Sequence, residues 1–197
     1  MNPTSEIVYR FVFGLLWLIY FAVRLYYQRK ITAGKEYARV NAAQEVLLFR
    51  IFAVAFLLLA FYFLTPLVDF AGLPLSAWLR WSGAVLTAAA IVLFGWSHQA
   101  LGQNWTATLA LTKEHQFVQA GPYRVIRHPM YSAFFLLGIG FAVLSANWLV
   151  AVVYLAPLLV MYLTRVSVEE QMMVERFGEP YREYMKHTGR IFPRLWN

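Results

Sequence analysis

The feature that most limits how this chain can fold is a series of apolar runs too long for the core of a small soluble domain. Tyr9 to Tyr27 is the first, interrupted only by Arg10 and Arg24 near its ends, where long side chains can snorkel toward water. Val46 to Val68 is the second, closed by Pro66 and Asp69. Trp78 to Ala100 is the third, rich in Ala, Gly and Ser, which let helices approach closely in a bilayer. Its polar end, Trp96-Ser97-His98-Gln99, is expected to face protein or headgroups. A hydrocarbon core about 30 Å thick takes roughly 20 apolar residues as helix. At about 1.5 Å per residue, Pro129 to Thr164 would overshoot that core as a single helix. Ser145-Ala146-Asn147 near its middle therefore predicts two helices and a tight turn. Composition agrees: 60% of the 197 residues are hydrophobic and 14% charged. A soluble domain has roughly 45–50% apolar and about 25% charged residues. The expected fold is an all-α integral membrane protein with five transmembrane helices in a single membrane domain. Three helices fall in residues 1–100, and residues 101–197 add a helical hairpin and a tail.

Charge sets the orientation. Of 17 Lys and Arg, only Arg10 and Arg80 lie outside the Arg24–Arg50 connection, the Gly102–Arg127 connection and the tail from Arg165. The positive-inside rule places those three segments in the cytoplasm and the N-terminus outside. This distribution accounts for the net charge of +7 better than a nucleic-acid surface would. The first apolar run is too long for a cleavable signal peptide and lacks a small-residue cleavage site. With no cysteine, disulfides, thiolate metal sites and cysteine nucleophiles are excluded. His98, His115, His128 and His187 show no HxxxH or HExxH spacing, so no metal is expected.

Polar residues suited to chemistry concentrate after Leu101: Gln103 to Thr106, Gly121 to Tyr131, and Arg165 to Tyr184. Gly121-Pro122 reads as a turn, and Pro129 suits the first position of the helix that follows. His128 then sits at the cap, beside free N–H groups that favour an anion, with Arg124 and Arg127 adding positive charge. The same residues also fit a plain headgroup anchor with a capping histidine. Arg165 and Glu169, four apart, share a helix face as an ordinary ion pair would. Glu169-Glu170 at the membrane boundary costs free energy unless it meets a polar cavity or a cation. Phe177-Gly178 ends that helix, and Pro180 starts another carrying Tyr181 and Tyr184, which could equally be interfacial anchors.

Together these residues resemble the isoprenylcysteine carboxyl methyltransferase family. The matching pattern is Gly121-x-Tyr123, Arg127-His128-Pro129-x-Tyr131, Glu169-Glu170, and Phe177-Gly178-x-x-Tyr181-x-x-Tyr184. It covers about residues 100–195 and looks like a compact prokaryotic form. The resemblance implies a methyltransferase without a Rossmann domain, and no strand followed by GxGxxG is present. It implies a cytosolic C-terminal pocket for S-adenosylmethionine, released as S-adenosylhomocysteine. The implied cofactor contacts are Thr108, His115, Gln116, Phe117, Val118, Tyr123, His128, Pro129, Met130, Tyr131 and Glu169. Arg165 would meet the acceptor and, with Glu169, form the catalytic pair.

The acceptor turns on protonation. A terminal carboxylate, with a pKa of about 3.3–3.7, is ionised at neutral pH and needs only positioning, which Arg165 could supply by bidentate contact. An amine must first lose a proton, for which His128 and Glu170 are the conceivable bases. The expectation is therefore methyl transfer to the carboxylate of a lipidated cysteine or another lipophilic molecule, with membrane lipids as further partners. The alternatives are a phospholipid amine N-methyltransferase and a non-catalytic membrane scaffold.

Overall fold

The computed structural model describes residues 3–30, 36–39, 42–104, 110–112 and 116–194. Long helices form where the apolar runs predict them: α1 (Pro3–Arg29), α2 (Ala42–Leu64) and α3 (Ala77–Leu101). The fourth run divides into α4 (Pro129–Ser145) and α5 (Trp148–Phe177), followed by a short α6 (Glu179–His187). Among the described residues, α1, α2, α3 and α5 are long and apolar enough to cross a membrane, whereas α4 is an apolar helix of 17 residues. Their outer faces leave Phe11, Leu57, Val85 and Leu163 exposed, which is stable only against lipid. The chain is a multi-pass integral membrane protein. The departure from the all-α expectation is a short ladder of β1 (Glu36–Arg39) and β2 (Ala110–Thr112). They pair antiparallel and join the α1–α2 connection to the segment after α3.

Local chemistry explains the breaks. Ala146 adopts a left-handed conformation at the end of α4. Asn147 then starts α5, its side-chain oxygen accepting hydrogen bonds from Leu149 N and Val150 N. At the far end of α5, Gly178 has φ 63°, a region that costs a residue with a side chain strain, and this lets the chain turn into α6. The α3–α4 seam is tighter still. A Cβ built on Gly83 would lie 2.4 Å from Leu144 N, and one on Gly140 would lie 2.4 Å from Thr87 Oγ1. Small residues there bring the two backbones into contact, as small-residue seams do in membranes.

One end of the bundle is tied by charges. Arg80 is 1% exposed, and its guanidinium reaches Glu6 Oε2 at 2.7 Å and Leu144 O at 2.9 Å while lying 3.7 Å over the Tyr9 ring. Arg10 pairs with Asp69 and donates to Thr65 O at 2.9 Å, so an acidic partner holds it where snorkelling was expected. Asn147 Nδ2 donates to Val68 O at 2.7 Å, and Leu73 N donates to Ala146 O at 2.6 Å. The start of α1, the α2–α3 loop and the α4–α5 turn therefore share one end. The α1–α2 connection, the segment after α3 and the end of α5 share the other, in the grouping that the charges predict.

Candidate functional site

The second end gathers nearly every residue that the sequence marks. Pro129 is the first residue of α4, where its missing N–H removes nothing from the helix. His128 stands at the cap position, but its side chain makes no capping hydrogen bond. The ring turns instead toward the adjacent carboxylates on α5. Nδ1 lies 3.3 Å from Glu169 Oε2, and Nε2 lies 3.4 Å from Glu170 Oε1. The reading of His128 as a plain helix cap is thereby replaced, because two acids compete successfully for its donors.

Each carboxylate has further partners. Tyr131 Oη donates to Glu169 Oε1 at 2.9 Å, and Arg165 Nε lies 3.5 Å from the same oxygen. Arg165 is buried, with its guanidinium carbon 5.4 Å from the Phe49 ring centre. Glu170 is claimed from both sides. Arg127 Nε donates to Oε1 at 2.8 Å, while Arg190 donates to Oε2 from Nε at 3.0 Å and from Nη2 at 2.7 Å. Two carboxylates thus face three arginines and an imidazole, which leaves the cluster with surplus positive charge.

The tail after α6 locks this arrangement. Arg127 N donates to Gly189 O and His128 N to Arg190 O, both at 2.8 Å. Ser132 Oγ donates to Ile191 O at 2.6 Å, and Arg127 also bonds the carbonyls of Met185 and Thr188. Tyr184 Oη donates to Tyr123 O at 2.6 Å. Burial pushes the Tyr184 hydroxyl up to about 12, so it remains a donor at neutral pH. Burial, reinforced by Tyr184 and Glu169, likewise keeps the Tyr123 phenol protonated. Tyr181 and Tyr184 are buried, and the Phe117 ring packs on both at 5.4 and 5.1 Å between centroids. They serve as the packing surface of the tail, which settles against the interfacial-anchor reading.

Among the expected cofactor contacts, Tyr123, His128, Pro129, Met130, Tyr131 and Glu169 lie on or beside this cluster. Phe117 joins through α6, and Val118 is half-buried. Gln116 is exposed, and its backbone N–H donates to Asn104 Oδ1 at 2.7 Å. Thr108 and His115 lie outside the described residues. Arg190 was missed by sequence reasoning. Its only signal was a basic residue in a basic tail, which does not name a partner. Among the described residues, no group of three or more His, Cys, Asp or Glu is placed to hold a metal ion.

Burial works against charging His128, but hydrogen bonds to Glu169 and Glu170 and their charges outweigh it, raising the pKa above 6.5. A raised folded-state pKa gives stability that is complete below the unfolded value of about 6.5 and lost as pH rises through the folded value. Unfolding midpoints measured from mildly acidic to mildly alkaline pH should therefore fall across that upper window. The His128→Gln variant should lack that fall; identical profiles for variant and wild type would refute the imidazolium.

Comparison with known proteins shows what the chain around this site is similar to. Residues 83–175 match the model of the isoprenylcysteine carboxyl methyltransferase (ICMT) family. Protein-S-isoprenylcysteine O-methyltransferase B of Arabidopsis thaliana is 26% identical over 146 residues, 73% of this chain and 74% of the relative. Form A from the same plant is 26% identical over 181 residues, 91% of this chain and 90% of the relative. The solved structure of the eukaryotic intramembrane Ras methyltransferase ICMT matches with a TM-score of 0.54 and 24% identity. That match covers 79% of this chain and 55% of the solved one, and it shows a shared membrane fold. The ICMT-matched segment contains His128, Tyr131, Arg165, Glu169 and Glu170, while Arg190 and the tail lie beyond it.

Proposed function

We propose that this chain transfers the methyl group of S-adenosylmethionine to the carboxylate of a lipophilic acceptor, an isoprenylated cysteine or a similar molecule. The observation that carries this reading is the engagement of both glutamates and of both nitrogens of His128. Glu170 has each oxygen on an arginine, and the His128 imidazolium faces an acid on each side. Neither is available to take a proton from an amine. A carboxylate acceptor asks for none, since it is ionised at neutral pH. The surplus positive charge of the cluster also suits an anion better than an ammonium. The family and the two plant relatives support the same acceptor class.

In this reading Thr108, His115, Gln116, Phe117, Val118, Tyr123, His128, Pro129, Met130, Tyr131 and Glu169 hold the cofactor. The start of α4 suits its carboxylate and Glu169 its ammonium or a ribose hydroxyl. The cofactor supplies a methyl group on a sulfonium, the only electrophile the reaction needs. Arg165, steadied by Glu169, would hold the ionised acceptor carboxylate toward the bound cofactor. The cofactor would supply the methyl group and leave as its neutral thioether, so no proton need move. Apolar walls and the tail exclude water that would compete for the methyl group. With α4 also crossing, the chain has five spans, the N-terminus outside and this site at the cytoplasmic face.

The test is the product made by reconstituted protein given methyl-labelled S-adenosylmethionine. Acetyl-farnesylcysteine should yield a base-labile methyl ester, whereas base-stable label on phosphatidylethanolamine would replace this reading with N-methylation. Failure to bind S-adenosylhomocysteine would leave a non-catalytic scaffold. Arg165→Ala should lower turnover about 100-fold, as loss of one charge-stabilising donor does, with S-adenosylhomocysteine affinity unchanged. Equal loss of both would make Arg165 a cofactor residue.

A further inference from the structure

At the same end of the bundle, but sharing no residue with the carboxylate–arginine cluster, α1 and α3 form a half-open cavity of about 320 Å³. Tyr26, Tyr27 and Lys30 line it from the end of α1, and His98, Gln99 and Gln103 line it from α3 and the turn that follows. The Lys30 ammonium lies 4.3 Å from the centre of the Tyr26 ring, a cation–π contact that holds the charge at the cavity mouth. Gln103 Nε2 donates to Lys30 O at 3.3 Å and ties the two rims together. His98 forms the buried back wall, edge-on to Tyr27 with centroids 4.8 Å apart. The described lining contains one cation, two phenols, two side-chain amides and an imidazole, and no carboxylate.

Depth in the membrane narrows the ligand. Tyr26 and Gln99 lie in the last turns of α1 and α3, on helix stripes whose next exposed members inward, Ala22 and Trp96, are apolar. Ile19 lies two turns below Tyr26, and Val92 lies two turns below Gln99, both exposed. Polar donors and a lysine therefore sit at headgroup level, directly above surface made for hydrocarbon. A free anion would match the upper half alone, whereas an anionic amphiphile matches both. We infer that this pocket binds the phosphate of an anionic phospholipid from the adjacent leaflet. Lys30 neutralises the phosphate, Tyr27 and Gln103 donate to its oxygens, and the acyl chains lie along α1 and α3.

Reconstitution tests this in vesicles of phosphatidylcholine with a minor share of phosphatidylglycerol, followed by release and native mass spectrometry. One phosphatidylglycerol should remain on each chain. Lys30→Glu should lower its retention about tenfold, because a surface charge that attracted the headgroup now repels it. Gln103→Ala, which keeps the charge, should lower retention less, and wild-type unfolding midpoints in both variants would show that the fold holds. Equal retention of phosphatidylcholine and phosphatidylglycerol, or wild-type retention in both variants, would overturn the inference. Displacement of the lipid by inorganic phosphate would overturn the lipid as source and leave a free-phosphate site.

Discussion

Glu170→Ala should be the most damaging single change in the described site, costing about 3–5 kcal/mol of stability, the usual penalty for removing one partner of a buried ion pair. The side chain is 5% exposed and joins elements distant in sequence: Arg127 before α4, its own helix α5, and Arg190 in the tail. Removing it leaves the Arg127 guanidinium, 9% exposed, without its carboxylate. His128 also loses one of its two acids. The tail should release, and binding of S-adenosylhomocysteine should fall with it. Calorimetric unfolding and ligand titration of the purified variant measure both effects. A variant that unfolds at the wild-type midpoint would mean that the tail is held by its backbone hydrogen bonds alone. Glu169→Ala provides the contrast. That side chain is 26% exposed, so its loss should weaken cofactor binding with a smaller effect on unfolding.

The second large effect is expected at the opposite side of the fold, in Gly83→Ala. The added Cβ would stand 2.4 Å from Leu144 N and 2.8 Å from Gly140 O. Both are backbone atoms that no rotamer change can move, so α3 and α4 must separate. Overpacking of this kind costs about 3 kcal/mol at the upper end of the usual range. The same helix α4 begins at Pro129 beside His128, so a shift of α4 as a body also moves the site. Unfolding in detergent should shift to lower temperature, with cofactor affinity reduced in parallel. Thr87→Ala, which removes the hydroxyl at the same seam without adding atoms, should be much milder. An undisturbed Gly83→Ala protein would show that the helices are not in contact as described.

Much of the architecture was legible because a bilayer imposes a strict length rule. Four apolar runs could only be membrane-crossing helices or a hairpin, and Asn147 announced where the hairpin turns. Pro129 and Gly178 marked the ends of α4 and α5 through backbone preferences that act locally. The candidate site was legible in part, since Glu169-Glu170 at a membrane boundary demands cationic partners. The identity of those partners was not legible. Arg127 and Arg190 stand 43 and 20 residues from Glu170, and a basic tail offers several arginines that could equally have served. The β1–β2 ladder escaped for the same reason, because its strands are short and their pairing is non-local.

The sequence by itself determined that this chain crosses the membrane several times, which end of the helices gathers the basic segments, and that the polar residues suited to chemistry concentrate after Leu101. These follow from hydrophobic length and charge distribution, which act residue by residue. Only the tertiary structure decided that His128 is a bridge between two acids rather than a cap, and that Glu170 joins Arg127 to Arg190 of the tail. Those roles depend on which side chains α4, α5 and the tail bring within hydrogen-bond distance. Those contacts are non-local, so tertiary packing outranks local preference in setting them.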